Sequence, residues 1–166
     1  MPGGMRLNRL HDVIQIAMGW TDSHLHQFIV GTRSACTYFG VPDPEFDHMS
    51  GKTLNERRYA VADLAPIPKK KFIYEYDFGD DWEHEVTAEK ILPRDPAFKC
   101  PVCLAGANAC PPEDCGGIYG YCNLLEILDD PKHPDHEDMK EWIGDEFDST
   151  RFDLSEINAE LRRLKM

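Results

Sequence analysis

The chain has no apolar run near the roughly 20 residues that a helix needs to cross a bilayer, so a membrane-spanning helix is excluded. Its first 20 residues have no uninterrupted apolar segment either, because Asn8, His11, Asp12 and Gln15 break the run, and they do not read as a signal peptide. Basic residues are scarce: 18 against 30 acidic, for a net charge of −12. Affinity for a nucleic-acid backbone comes from neutralising phosphates, and the one basic run, Lys69-Lys70-Lys71, precedes a strand and reads as a solvated edge. Nucleic acid and anionic membrane are therefore set aside as principal partners, and a protein or small molecule is expected instead. There is no internal repeat and no low-complexity tract. Cysteine is nearly absent outside one stretch, five of the six falling between Cys100 and Cys122. Without a leader these thiols are expected to stay reduced, in the cytoplasm.

At 166 residues, what remains is enough for one domain with a real core. Leu7, Leu10, Ile14 and Ala17 recur at helical spacing and predict an amphipathic helix over 7–18, closed by Gly19. His24 to Val30 reads as a strand, with His24, His26, Phe28 and Val30 on one face. Residues 40–56 read as a loop with room for short extended pieces, and Tyr59 to Leu64 as a brief strand. The clearest β signal is the alternation of Phe72, Tyr74, Tyr76 and Phe78 with Ile73, Glu75 and Asp77. A turn at Gly79-Asp80-Asp81 and a return strand from Trp82 complete a hairpin. Residues 93–117 are rich in Cys, Pro and Gly and have no period; such long loops are functional or cross-linked. From 118 to 166 the chain turns helical, with a stripe of Ile118, Tyr121, Leu124, Leu125 and Leu128 and a capping box at Asp153 and Glu156. Strands segregated from helices predict an α+β fold: a mainly antiparallel sheet with a central aromatic hairpin, one N-terminal helix and a C-terminal helical segment.

Three stretches stand together in order: GWTDSHLHQF (19–28), FIYEYDFGDDWEHEV (72–86) and CPVCLAGANACPPEDCGGIYGY (100–121). In combination they resemble the plasmid pRiA4b ORF-3-like family, also labelled an insertion-sequence passenger family, from about residue 10 to the final helix. The resemblance implies one α+β domain over 1–166 and an association with plasmids and mobile elements, but no established activity. Members usually begin with a further strand or two, so the true start is expected upstream of Met1; otherwise a sheet edge would stand unpaired.

Four constellations carry chemistry. Cys100 and Cys103 form a CxxC, with Cys110 and Cys115 following, and two close thiol pairs can hold structural zinc in a tetrahedron; the alternative is plain reduced thiols. Asp77, Asp80, Asp81 and His84 surround the hairpin turn and could serve a metal or act as acid and base, although aspartates are also ordinary turn residues. His24 and His26, two apart on a strand, point the same way and would suit a metal, joined by His84 if the strands are neighbours. Glu113 and Asp114 sit on a stiff turn between prolines and glycines, where they can serve a site or cap the next helix.

Three functions follow. The leading one is a non-enzymatic accessory or binding domain whose acidic cleft is lined by Tyr74, Tyr76 and Trp82. The rival is a metal-dependent hydrolase-type enzyme with His24, His26 and His84 as ligands and Asp77 or Glu113 as base. The third is a zinc-stabilised protein-interaction module.

Overall fold

The computed structural model describes residues 1–32, 35–43, 52–93, 95–96, 100–144 and 146–164. The aromatic alternation forms β4 (Lys71–Tyr76), which pairs antiparallel with β5 (Trp82–Thr87), placing Tyr76 opposite Trp82 and Tyr74 opposite His84. On its other side β4 takes β1 (His26–Thr32), with His26 opposite Tyr76 and Phe28 opposite Tyr74. β2 (Ala35–Gly40) runs antiparallel to β1, and β3 (Thr53–Asn55) runs parallel to β2, giving the order β3-β2-β1-β4-β5.

Helix α1 (Leu7–Met18) lies across the aromatic face of this sheet. Leu7, Leu10 and Val13 bury against Phe28, Phe72, Tyr74 and Tyr76, each contributing on the order of 1.5–3 kcal/mol. Gly19 ends the helix at φ 81° and donates its N–H to Gln15 O at 2.8 Å, the left-handed cap expected of it. A 3₁₀ turn (Glu56–Arg58) and the short α2 (Val61–Leu64) follow β3. After the cysteine segment come α3 (Gly117–Asp129), α4 (His136–Ile143) and α5 (Leu154–Arg163). α5 returns to α1 and buries Leu161 in the same core. Asp153 caps it by accepting from Ser155 N and Glu156 N, whereas Glu156 pairs with Arg151 instead of reaching back. Among the described residues no helix is long and apolar enough to cross a membrane.

Some local expectations are corrected. Tyr59–Leu64 is no strand: it holds the helical turn of α2, because Asp63 accepts from Ala60 N and closes a turn there. The His24 strand begins at His26, since Asp22 at φ 58° still belongs to a turn. β2 lies where no element was expected. The 40–56 loop falls partly outside the described residues, and β3 at its described end is one of the short extended pieces allowed for there. Phe78 leaves the aromatic face and is exposed, because Asp77 at φ 58° breaks the alternation just before it. In α3 the buried face is Leu124 and Ile127, with Ile118 exposed.

Candidate functional site

Among the described residues four polar side chains are buried: His11, Gln15, Glu56 and Asp77. His11 and Glu56 line a cleft of about 650 Å³ between α1, the start of β1 and the 3₁₀ turn, while Gln15 and Asp77 stand behind it, against Asp22 and His24. Asp22, His24, His26, Glu56 and Arg57 line it, with Leu25, Val41 and Phe78 forming an apolar lip. Its volume is in the range of small-molecule pockets.

His11 sits in a closed ring of hydrogen bonds. Asp22 N donates to Gln15 Oε1 at 2.9 Å, and Gln15 Nε2 donates to the Tyr74 hydroxyl at 3.0 Å. The single Tyr74 proton then goes to His11 Nδ1 at 2.8 Å, which leaves His11 Nε2–H to donate to Asp22 Oδ1 at 2.8 Å. Every donor in the ring has its acceptor only when His11 is neutral. Burial, and next the charge of His26, hold its pKa below the ordinary value, in agreement. His26 stacks flat on His11, with ring centroids 3.5 Å apart and planes 6° from parallel, and its Nε2 meets the buried Glu56 carboxylate at 2.8 Å.

His11, Asp22 and His26 bring ligand atoms within 4.8 Å of one another. Their rings exclude a shared ion all the same. An ion must lie close to the plane of each imidazole it binds, about 2.0–2.1 Å from nitrogen, and two parallel planes 3.5 Å apart share no such point. This pair is hydrogen-bonded structure.

His24 is different. Its Nδ1 stands 3.6 Å from Asp77 Oδ2 and its Nε2 3.3 Å from Asp114 Oδ1. Neither contact is a hydrogen bond, and the buried Nε2 has no partner, so the Asp114 oxygen is near but off the line that an N–H would need. His24, Asp77 and Asp114 each offer one ligand atom, all within 4.8 Å of one another. Asp77 and Asp114 both hold left-handed backbone, at φ 58° and 59°, a conformation that Asp tolerates but that gathers at functional sites. Asp77 commits Oδ1 to Gly79 N and Asp80 N, leaving Oδ2 toward His24. Asp114 is largely solvent-exposed, so the cluster is open on one side.

The three motif stretches meet here. Asp77 N donates to Leu25 O at 2.9 Å, holding the hairpin turn beside His24. Asp80 Oδ2 accepts from Gly116 N at 3.0 Å, and a Cβ at Gly117 would stand 2.4 Å from Asp80 O, so only glycine fits against the turn. Glu113 accepts from the Tyr76 hydroxyl through Oε1 and from the Thr21 hydroxyl and N–H through Oε2. Burial pushes the Glu113 carboxyl up, but the hydrogen bonds from Thr21 and Tyr76 outweigh it and hold the group below its usual range.

Of the expected site residues, His24, Asp77 and Asp114 come together. His26 faces Glu56 instead. His84 does not join them: it sits edge-on to Trp20 at 5.4 Å, with Nδ1 directed at the Trp82 and Tyr74 carbonyls, and burial lowers its pKa. Tyr74, Tyr76 and Trp82 do not line this cleft; they are buried at 0, 0 and 8% exposure, because the face they share lies under α1. Asp80 and Asp81 serve the turn and its anchor to Gly116. Cys100, Cys103, Cys110 and Cys115 are all free, and no three of them bring their sulfurs within ligand range. Burial and then the neighbouring Cys115 push the Cys110 thiol up to about 12, which makes it an unreactive thiol at neutral pH.

Sequence reasoning missed His11, Gln15, Asp22 and Glu56. The signal for the first two was available, since both interrupt the apolar stripe of α1 with polar groups.

Residues 1–156 match the family described as plasmid pRiA4b ORF-3-like protein. The chain is 39% identical over 159 residues to the uncharacterized protein y4hQ of Sinorhizobium fredii (strain NBRC 101917 / NGR234), covering 95% of this chain and 78% of that one. It also resembles the crystal structure of a protein of unknown function, MM3350 from Methanosarcina mazei Go1, with TM-score 0.80 and 35% identity over 93% of this chain and 84% of that one. The chain thus belongs to the plasmid pRiA4b ORF-3-like family, whose three motif stretches here build one junction around His24.

Proposed function

We propose that this domain binds a divalent first-row transition metal through His24, Asp77 and Asp114, and that it is a metal-dependent protein of hydrolase type acting on a small molecule in the adjoining cleft. The observation that carries the reading is the buried His24 Nε2, which makes no hydrogen bond although a carboxylate oxygen stands 3.3 Å away. Most buried nitrogens in native structures find a partner. Trp82 Nε1 lacks one here too, among aromatic rings, whereas His24 Nε2 stands near carboxylates. An ion on Nε2 shared with Asp114 and Asp77 would supply one. One imidazole and two carboxylates are a mixed N/O ligand set suited to such ions. Three protein ligands with one side open leave room for water or substrate, where the ion lowers the pKa of water and polarises an electrophile. Glu113 is not the base, because both its oxygens are already accepting hydrogen bonds. The six unpaired thiols support a reducing, cytoplasmic setting.

A binding domain without chemistry is the second reading, favoured by the exposed lip of Leu25, Val41 and Phe78 around the cleft. Titration of metal-free protein with Zn²⁺ and Mn²⁺ tests the first. One ion per chain, lost in His24→Ala and Asp114→Asn but kept in Cys100→Ser/Cys103→Ser, is expected. Binding that disappears with the cysteines and survives His24→Ala would transfer the metal to the cysteine segment and favour the interaction module.

A further inference from the structure

We propose that Glu113 is a positioning residue: with Tyr76 and Thr21 it forms a clamp that sets where Asp114 stands relative to His24. This inference rests on the metal reading above and assigns the charged residue beside Asp114 a role other than chemistry.

The segment that carries Asp114 has no periodic structure of its own, so its place is fixed from outside. Trp20 Nε1 donates to Pro111 O at 3.0 Å on one side of Asp114. Asp80 holds Gly116 N at 3.0 Å on the other. Between these anchors, Glu113 is the residue that reaches both motif stretches at once: the end of β4 through Tyr76, and the turn after α1 through Thr21. The donors are themselves directed. The Tyr76 hydroxyl accepts from Ser23 N at 3.1 Å, so its one proton is committed to Glu113. The Thr21 hydroxyl is 2.7 Å from Ser23 Oγ and, with its own proton given to Glu113, accepts there. A carboxylate accepting three such bonds is held far more tightly than a solvated turn residue. Asp114, by contrast, has its ring contact with His24 and is otherwise open to solvent. Its position is inherited from its neighbour, in the way that outer partners fix the ligands of metal sites.

Glu113→Gln keeps the shape but presents an amide that can accept on one side only, facing donors on both. Tyr76→Phe and Thr21→Val each remove one donor and leave the carboxylate in place. The full chain is loaded with Co²⁺, and affinity is read by competition with a chromophoric chelator, together with the visible absorption bands that report ligand geometry. Unfolding of the metal-free protein by urea is followed alongside.

Glu113→Gln is expected to bind about 10- to 100-fold more weakly, with altered Co²⁺ bands. Tyr76→Phe and Thr21→Val are expected to move both readouts in the same direction by less. The metal-free unfolding midpoints do not explain those changes if the clamp acts on the ion site, since a merely structural role leaves the bands unchanged. Should Glu113→Gln fail to fold, the two donor variants carry the same test. Wild-type protein that binds the ion while these variants match it within twofold, with unaltered bands, overturns the clamp and leaves the metal reading standing. Wild-type protein that binds no ion overturns both.

Discussion

His24 and His26 stand two residues apart and face different company. His26 stacks on His11 and meets Glu56, so both rings and both carboxylates of that group find partners inside the protein. His24 stands between two carboxylates with its inner nitrogen unsatisfied. Similar residue types thus give a closed hydrogen-bond network in one place and an open ligand set in the other. What separates them is ring orientation and how much of each group's bonding capacity is already used. A count of nearby ligands would have ranked the first group as highly as the second.

The sharpest way to break that contrast is to remove each ring in turn. His26→Ala leaves the buried Glu56 carboxylate without its partner, and the fold is expected to lose about 3–5 kcal/mol in urea unfolding. Its ion affinity, where it folds, stays near that of wild type. His24→Ala reverses the pattern: ion binding weakens by at least the 10- to 100-fold typical of losing an outer partner, while stability changes little. If His26→Ala abolishes ion binding as well, the two groups are one site and the contrast fails.

Smaller effects sharpen it. Tyr74→Phe strands Gln15 Nε2 and His11 Nδ1, at an expected cost of about 1–3 kcal/mol. Asp77→Ala loses the bonds to Gly79 N and Asp80 N and places a residue with no tolerance for positive φ at 58°. A loss of about 1–3 kcal/mol is expected, with Asp77→Asn distinctly milder. Equal losses in the two would show that the left-handed backbone matters little.

The smallest effect is on pH. The folded pKa of His11 lies below its ordinary 6.5. The unfolded chain therefore takes up the proton first, and stability is full above about 6.5 and declines as pH falls toward the lowered folded value. Unfolding measured from pH 8 to 5 should show that slope, and His11→Gln should flatten it in part, because half-buried His84 contributes with the same sign. A slope untouched by His11→Gln would remove His11 from the account.

Much of the fold was legible because it follows from short-range periodicity. The α1 stripe with Gly19 fixes a helix whose ends match the expected 7–18, and the Phe72–Tyr76 alternation with its turn fixes the hairpin. β2 was not, because its sides are unevenly buried and its partners lie on β1 and β3. His24, Asp77 and Asp114 were each visible as candidates, but in three separate constellations. The bonds that unite them, Asp77 to Leu25 and Glu113 to Tyr76 and Thr21, join residues tens of positions apart and leave no periodic trace. The aromatic residues misled for the opposite reason: an alternating strand face marks a surface to be covered, and here α1 covers it.

The most direct measurement is the position of the ion itself, by anomalous X-ray scattering from crystals of the untagged protein grown with Mn²⁺ or Zn²⁺. The account predicts one strong peak within bonding distance of His24, Asp77 and Asp114. A peak among the cysteines, between the stacked rings of His11 and His26, or at none of these would contradict it.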